Sequence, residues 1–186
     1  MEDKEIYVLL THTGSLLSKL IKRYTKEPYS HVSISFDPNL EEVYSFGRKR
    51  PRNPLIAGFI VEDIRHGTFS MFSETTYGLY SLSIDSIQYN KLKETILEFE
   101  KIKQKSCYNL IGLLGVYLGY PVDRTYAYFC SQFVAAAFEK SGIVIFDKPI
   151  GLVTPKDFRI SSSLNLVKSG KLSYFNIQEL PLQNVM

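Results

Sequence analysis

Tryptophan is absent from the 186-residue sequence, and cysteine and histidine are scarce, with two and three copies. Two cysteines, Cys107 and Cys130, do not make the disulfide framework that staples small secreted domains, and no CxxC pair points to zinc or dithiol chemistry. Charge of one sign is also lacking. The formal excess is only +3, which does not by itself speak for nucleic acid, because charge matters when it is concentrated on a surface. Long apolar runs are missing too. The most apolar helical stretch, LIGLLGVYLGYPV at 110–122, meets Asp123 after 13 residues, short of the ~20 that a spanning helix needs. The opening MEDKEIYVLL shows no apolar run followed by a small-residue cleavage site, so no signal peptide is read there. A cytoplasmic protein with free thiols and no integral membrane span is the expectation. Neither a repeat nor a low-complexity linker divides the chain, which suits a single domain over 1–186.

What is present falls into periods. IYVLLT (6–11) is a short apolar strand, after which Leu16, Leu17, Leu20, Ile21 and Tyr24 recur at helical spacing. YSHVSISF (29–36) switches to a period of two, with His31, Ser33 and Ser35 on one face and Val32, Ile34 and Phe36 on the other. DPN then signals a turn, and EEVYSF (41–46) returns as an antiparallel neighbour. AGFIVEDI and YGLYSLSI read as further strands. From Asp85 the spacing of Tyr89, Leu92, Ile96 and Phe99 is helical, with Asp85 and Gln88 forming a capping box. Further helices are predicted over 107–119 and from Cys130 to about Gly142. TPKDF (154–158) offers Thr as cap, Pro at the first helical position and Asp at the third. KLSYF (171–175) reads as a last strand. Strands before and after helices favour an α+β layer structure, a small antiparallel sheet packed against helices. The basic segment SFGRKRPRNP (45–54) reads either as a solvated loop or as a recruiter of an anionic partner.

The chemistry-bearing stretch is YFCSQFVAAAFEKSG (128–142). A cysteine at a helix N-terminus meets unsatisfied amides and the positive end of the helix dipole, both of which favour its thiolate. The same amides can stabilise an oxyanion. A small core hydrophobe is the competing reading of Cys130. A nucleophilic thiol needs a base, and three histidines are available. His66 lies in the turn-like DIRHGTF and His12 at a strand exit. His31 is better placed, because strand alternation with Ser33 and Ser35 holds an imidazole to one side. Cys107 reads as a buried structural thiol at the start of a helix. Gln132 suits helix packing or capping, and Ser131 a cap.

Taken in order, YSHVSISFD, EEVYSFGRK, FCSQFVAAAFEKSGI and VTPKDF before LVKSGKL resemble the circularly permuted branch of the NlpC/P60 superfamily, a papain-like cysteine hydrolase group. In permuted members the histidine strand precedes the cysteine helix, so His31 resembles the base and Cys130 the nucleophile. The resemblance implies a papain-like fold, with the cysteine opening the central helix, and a polar third residue on the strand after the histidine strand. If residues 37–41 form the hairpin connection, Phe36 opposes Glu42 and Ser33 opposes Ser45, which puts Ser45 on His31's face. A connection one residue shorter favours Glu42, Tyr44 or Phe46. Glu42 has the better chemistry, since a carboxylate supports imidazolium; Ser45 has the better register and departs from the family's usual His, Glu, Asn or Gln.

The function implied is hydrolysis of an amide or peptide-like bond through a thioester, on a small peptide-like or acyl substrate, without metal or organic cofactor. Lipid acyl transfer or thioester hydrolysis is one alternative, since related permuted enzymes act on acyl lipids. A catalytically silent binding module is another. A nucleic-acid partner is not expected, although a basic nucleic-acid or membrane-surface protein centred on residues 48–52 is a third alternative.

Overall fold

The computed structural model describes residues 3–15, 18, 22, 26–50, 53–66, 69 and 71–175. The helix expected over 16–24 lies outside them apart from Ser18 and Lys22. Strands β1 (Lys4–His12), β2 (His31–Ser35), β3 (Val43–Arg50), β4 (Asn53–Glu62), β5 (Thr76–Ile84) and β8 (Asn165–Lys171) form one six-stranded antiparallel sheet in the order β4-β3-β2-β1-β5-β8. Helices α1 (Ser86–Lys101), α2 (Leu110–Leu118), α3 (Cys130–Lys140) and α4 (Pro155–Ile160) follow the first five strands. The class is α+β.

Strand alternation builds a core on each side of the sheet. On one face Val8, Leu10, Val32, Ile34, Phe46 and Phe59 pack with residues of α1 and α3. On the other, Leu9, Val43, Tyr77 and Leu79 form a smaller cluster with Leu40, Ile64 and Leu172. α3 is the buried axis of the molecule, since every residue from Cys130 to Phe138 is buried. Its three consecutive alanines, Ala135–Ala137, let the sheet approach, while Phe133 sits in an aromatic nest with ring centroids 5.0 Å from Phe99, 5.2 Å from Phe46 and 5.7 Å from Phe59. Such edge-to-face and tilted contacts add to plain area burial. This packing fixes where the first residue of α3 can be.

The caps follow from local side chains. Asp85 accepts from the N–H groups of Ile87 and Gln88, both at 2.8 Å, and Gln88 accepts from Asp85 N–H in return. Thr154 and Asp157 form the corresponding box ahead of α4. The basic segment 45–54, read as a solvated loop or a recruiter, is mostly strand, since β3 runs to Arg50 and β4 starts at Asn53, and other boundaries differ from expectation too. The helix predicted over 107–119 starts only at Leu110, because Cys107 and Tyr108 form a short strand, β6, parallel to β7 (Ala127–Tyr128). Asn109 then caps α2 by accepting from Gly112 N–H at 2.9 Å. Likewise the last strand is 165–171 rather than KLSYF, whose residues Leu172–Tyr174 form a 3₁₀ turn.

Candidate active site

The site grows out of the place where β2 and β3 part. Their ladder is confined to Ile34–Tyr44 and Ser35–Val43. That register continues to Ser33 opposite Ser45, as a connection of residues 37–41 requires. One step nearer the N-terminus of β2, the Val32 carbonyl accepts from the Ser45 hydroxyl at 3.3 Å, and the Val32 amide lies near enough to the Cys130 sulfur to favour its thiolate. The opening of α3 therefore takes up hydrogen-bonding capacity that the sheet has released.

Cys130 is the first residue of α3, as its sequence setting predicted, and it is 4% exposed. The backbone enters the helix from an extended Phe129, whose N–H donates to the side-chain Oε1 of Gln132 at 3.4 Å. Gln132 thus closes the cap; it also accepts from Asn109 Nδ2 at 3.2 Å and donates to Asp123 Oδ1 at 3.1 Å. Ser131 donates to the Val153 carbonyl at 2.7 Å. With these neighbours committed to the scaffold, the sulfur is the reactive group left at the helix terminus, and the Ser131 amide joins that of Val32 in favouring its thiolate.

The imidazole of His31 lies beside this sulfur and interacts with it electrostatically. Its Nε2 is engaged on the other side, 2.8 Å from Glu62 Oε1 and 3.1 Å from Ser45 Oγ, which leaves Nδ1 for the thiol. Ser33 donates to the second oxygen of Glu62. The sequence-predicted residues separate here. Cys130, His31 and Ser45 come together, but Glu42 does not join them: its carboxylate accepts from the Tyr44 hydroxyl at 2.6 Å in an exposed pair. The carboxylate on His31 is Glu62, at the end of β4. Its side chain shares the His31 face and reaches the imidazole across Gly47, where a Cβ would stand 3.5 Å from Glu62 Oε1, 3.6 Å from His31 Cε1 and only 2.8 Å from Ile60 Cδ1. A glycine at 47 keeps the passage open.

A second residue, for which the sequence suggests no more than a place lining a cleft, is Tyr108. Its hydroxyl lies beside Cys130, within electrostatic reach of the sulfur and the backbone amide. Burial above all, and then the neighbouring sulfur, push the phenol well above its ordinary 10.0, with the Arg48 charge a smaller opposing influence. Tyr108 is thus held as a neutral donor over the helix terminus. The parallel β6–β7 pairing fixes it there, with Asn109 N–H donating to the Tyr128 carbonyl at 3.1 Å. Cys107, by contrast, is exposed rather than buried as expected. His66 is an exposed partner of Asp63, and His12 meets Ser18 at 2.7 Å. The basic segment is partly structural: Lys49 donates to the Lys103 and Ser106 carbonyls, and Arg48 to Ser15 Oγ. Arg52 lies outside the described residues.

Charge is favoured on both members of the pair. Burial works against it on His31, yet Glu62 and then the Cys130 sulfur raise the imidazole well above its ordinary 6.5. Burial also opposes the thiolate, but the adjacent His31 and the Val32 and Ser131 amides lower Cys130 from 9.0. The signs give a window. The thiolate forms before an ordinary thiol would ionise, and the imidazolium persists after an ordinary histidine has lost its proton. Alkylation of Cys130 by iodoacetamide should therefore rise with pH through an inflection below 9.0, and His31→Ala should move that inflection upward. An inflection at or above the ordinary thiol position, unmoved by the substitution, would contradict the pairing.

Comparison with known proteins finds no family model that matches the chain and no match among curated proteins. No helix among the described residues is long and apolar enough to cross a membrane. Among the same residues, no group of three or more His, Cys, Asp or Glu side chains is arranged to hold a metal ion.

Proposed function

We propose that the protein is a cysteine hydrolase of the permuted NlpC/P60 type, cleaving an amide or peptide-like bond through a thioester. The observation that carries this reading is the chain of contacts from Glu62 through His31 to a helix-terminal thiol, in which each member favours the charge of the next. The Cys130 thiolate attacks the carbonyl carbon, and the electron pair of the C=O bond moves to oxygen. The Cys130 N–H and the Tyr108 hydroxyl are the donors available to that oxyanion. Collapse of the intermediate expels the amine as the imidazolium of His31 gives up its proton, leaving an acyl-enzyme. Water, deprotonated by the now neutral His31, attacks the thioester, releases the acid and restores the thiol pair. Glu62 orients the ring and stabilises its charged form throughout, with Ser45 as a second contact on Nε2.

Acyl transfer from a lipid, or lipid thioester hydrolysis, is the second reading. It is favoured by one observation: Leu110, Ile111 and Leu114, two to six residues beyond Tyr108, are all large, apolar and exposed. A panel of small amides, γ-glutamyl and other short peptides, acyl esters and acyl thioesters separates the two. Turnover on amides that vanishes in Cys130→Ala is the expected result. Turnover confined to long-chain acyl substrates would transfer the conclusion to the second reading, and no Cys130-dependent turnover on any of them would sink both.

A further inference from the structure

Helix α2 is apolar along its length and leaves one apolar face exposed. At 3.6 residues per turn, Leu110, Ile111, Leu114, Tyr117 and Leu118 fall within one arc of roughly 120°. Each is between 47% and 64% exposed. The buried positions are instead Gly112 and Gly115. The chain folds back so tightly past the helix end that a Cβ on Gly115 would stand 2.4 Å from the Tyr120 carbonyl oxygen. The glycines thus take the buried positions, Leu113 and Val116 are half-buried, and the remaining large apolar residues face out. Tyr120 and Tyr126, 71% and 45% exposed, extend the same region beyond the helix end.

The surroundings indicate what covers this face. No charged residue occurs from Cys107 to Val122. Exposed Lys105 precedes the stretch and exposed Arg124 follows it; Asp123, the nearest acid, is exposed as well and accepts from Gln132 Nε2. An aliphatic centre, amphipathic tyrosines and flanking cations reproduce the gradient from acyl chain to headgroup to phosphate at a bilayer surface.

We propose that α2 docks the protein on anionic lipid bilayers, with Leu110, Ile111, Leu114 and Leu118 entering the acyl boundary and Lys105 and Arg124 meeting headgroup phosphates. At nine residues the helix lies in the interface and does not span it. Docking brings the thiol to the lipid surface as well, because Tyr108 is only two residues before Leu110. The proposal does not depend on catalysis.

Co-sedimentation of the full chain with sucrose-loaded vesicles tests it, using phosphatidylcholine alone and phosphatidylcholine mixed with phosphatidylserine. The wild-type chain should bind the mixed vesicles more tightly, and binding should weaken as salt is raised. Leu114→Ser combined with Leu118→Ser should lower the affinity roughly tenfold or more, with an unchanged circular dichroism spectrum and melting midpoint because both side chains are exposed. Arg124→Glu should remove part of the preference for phosphatidylserine, and Cys130→Ala should bind as wild type. Failure of the wild-type chain to bind either vesicle overturns the proposal, as does binding that the leucine variant leaves intact. A dimer in sedimentation velocity that the leucine variant dissolves, with vesicles ignored, would assign the face to a second copy instead.

Discussion

Iodoacetamide should modify Cys130 faster than Cys107 at neutral pH, even though Cys130 is the buried thiol and Cys107 the exposed one. Accessibility alone predicts the opposite order, so the comparison isolates activation. The His31 side chain is 19% exposed, which gives a small reagent an approach to the pair. Cys130 lies at the terminus of a helix, with the Val32 and Ser131 amides, the Tyr108 phenol and the His31 imidazole beside its sulfur, whereas Cys107 lies in the short strand β6. Thiolate fraction scales directly with a lowered pKa, so His31→Ala should slow Cys130 labelling by roughly tenfold or more and leave Cys107 unchanged. Its effect on turnover should be larger, about 10²–10⁴-fold, because the leaving group also loses its acid. Mass spectrometry of a time course locates the adducts. If both cysteines label at the rate their exposure dictates, and His31→Ala changes nothing, Cys130 is a structural thiol.

The second large effect concerns the residue behind the histidine. Glu62→Gln keeps a hydrogen-bond acceptor near Nε2 but removes the charge that holds His31 well above 6.5. Turnover should fall about 10²-fold or more, by analogy with the loss of a histidine-orienting carboxylate in other triads. The high-pH limb should also move down, toward the ordinary histidine range, because the imidazolium no longer persists. A merely structural role would not displace that limb. Ser45→Ala should cost much less: its proton is directed to the Val32 carbonyl, and Nε2 retains the shorter contact to Glu62. If Ser45→Ala is the more damaging change, or if Glu62→Gln lowers the rate without moving the limb, Glu62 is not the orienting group.

How legible the site was depends on how far each contact travels along the chain. The two-residue period of 29–36 and the five-residue connection at 37–41 gave both the His31 face and the Ser33–Ser45 register, because adjacent antiparallel strands obey a local rule. The cysteine at the head of α3 was legible from the apolar run that follows it, and the caps at Asp85 and Thr154 from their three-residue spacing. Glu62 was hidden because it lies two strands from His31, with a β3–β4 pairing shifted at Arg48/Arg50 between them. The one hint was an acid ending an apolar strand whose neighbour carries a glycine. Tyr108 was hidden for a different reason. Cys107 and Tyr108 look like the start of the apolar helix until a parallel partner, twenty residues away, draws them into a strand. Helical periodicity says nothing about such a bridge.

The order of the site's parts along the chain has a consequence for biosynthesis. Strands β1 to β4 are neighbours both in sequence and in the sheet, so His31, Ser45 and Glu62 can be set by residue 62 through successive hairpins. The thiol follows 68 positions later on a helix that docks across the finished meander. At translation speeds of about 5–20 residues per second, the base and its carboxylate wait several seconds on the ribosome before their nucleophile emerges. Cys130 itself acquires its activating neighbours only when α3 seats on the sheet. Until then it is an ordinary thiol, so reactivity is the last property the nascent chain gains.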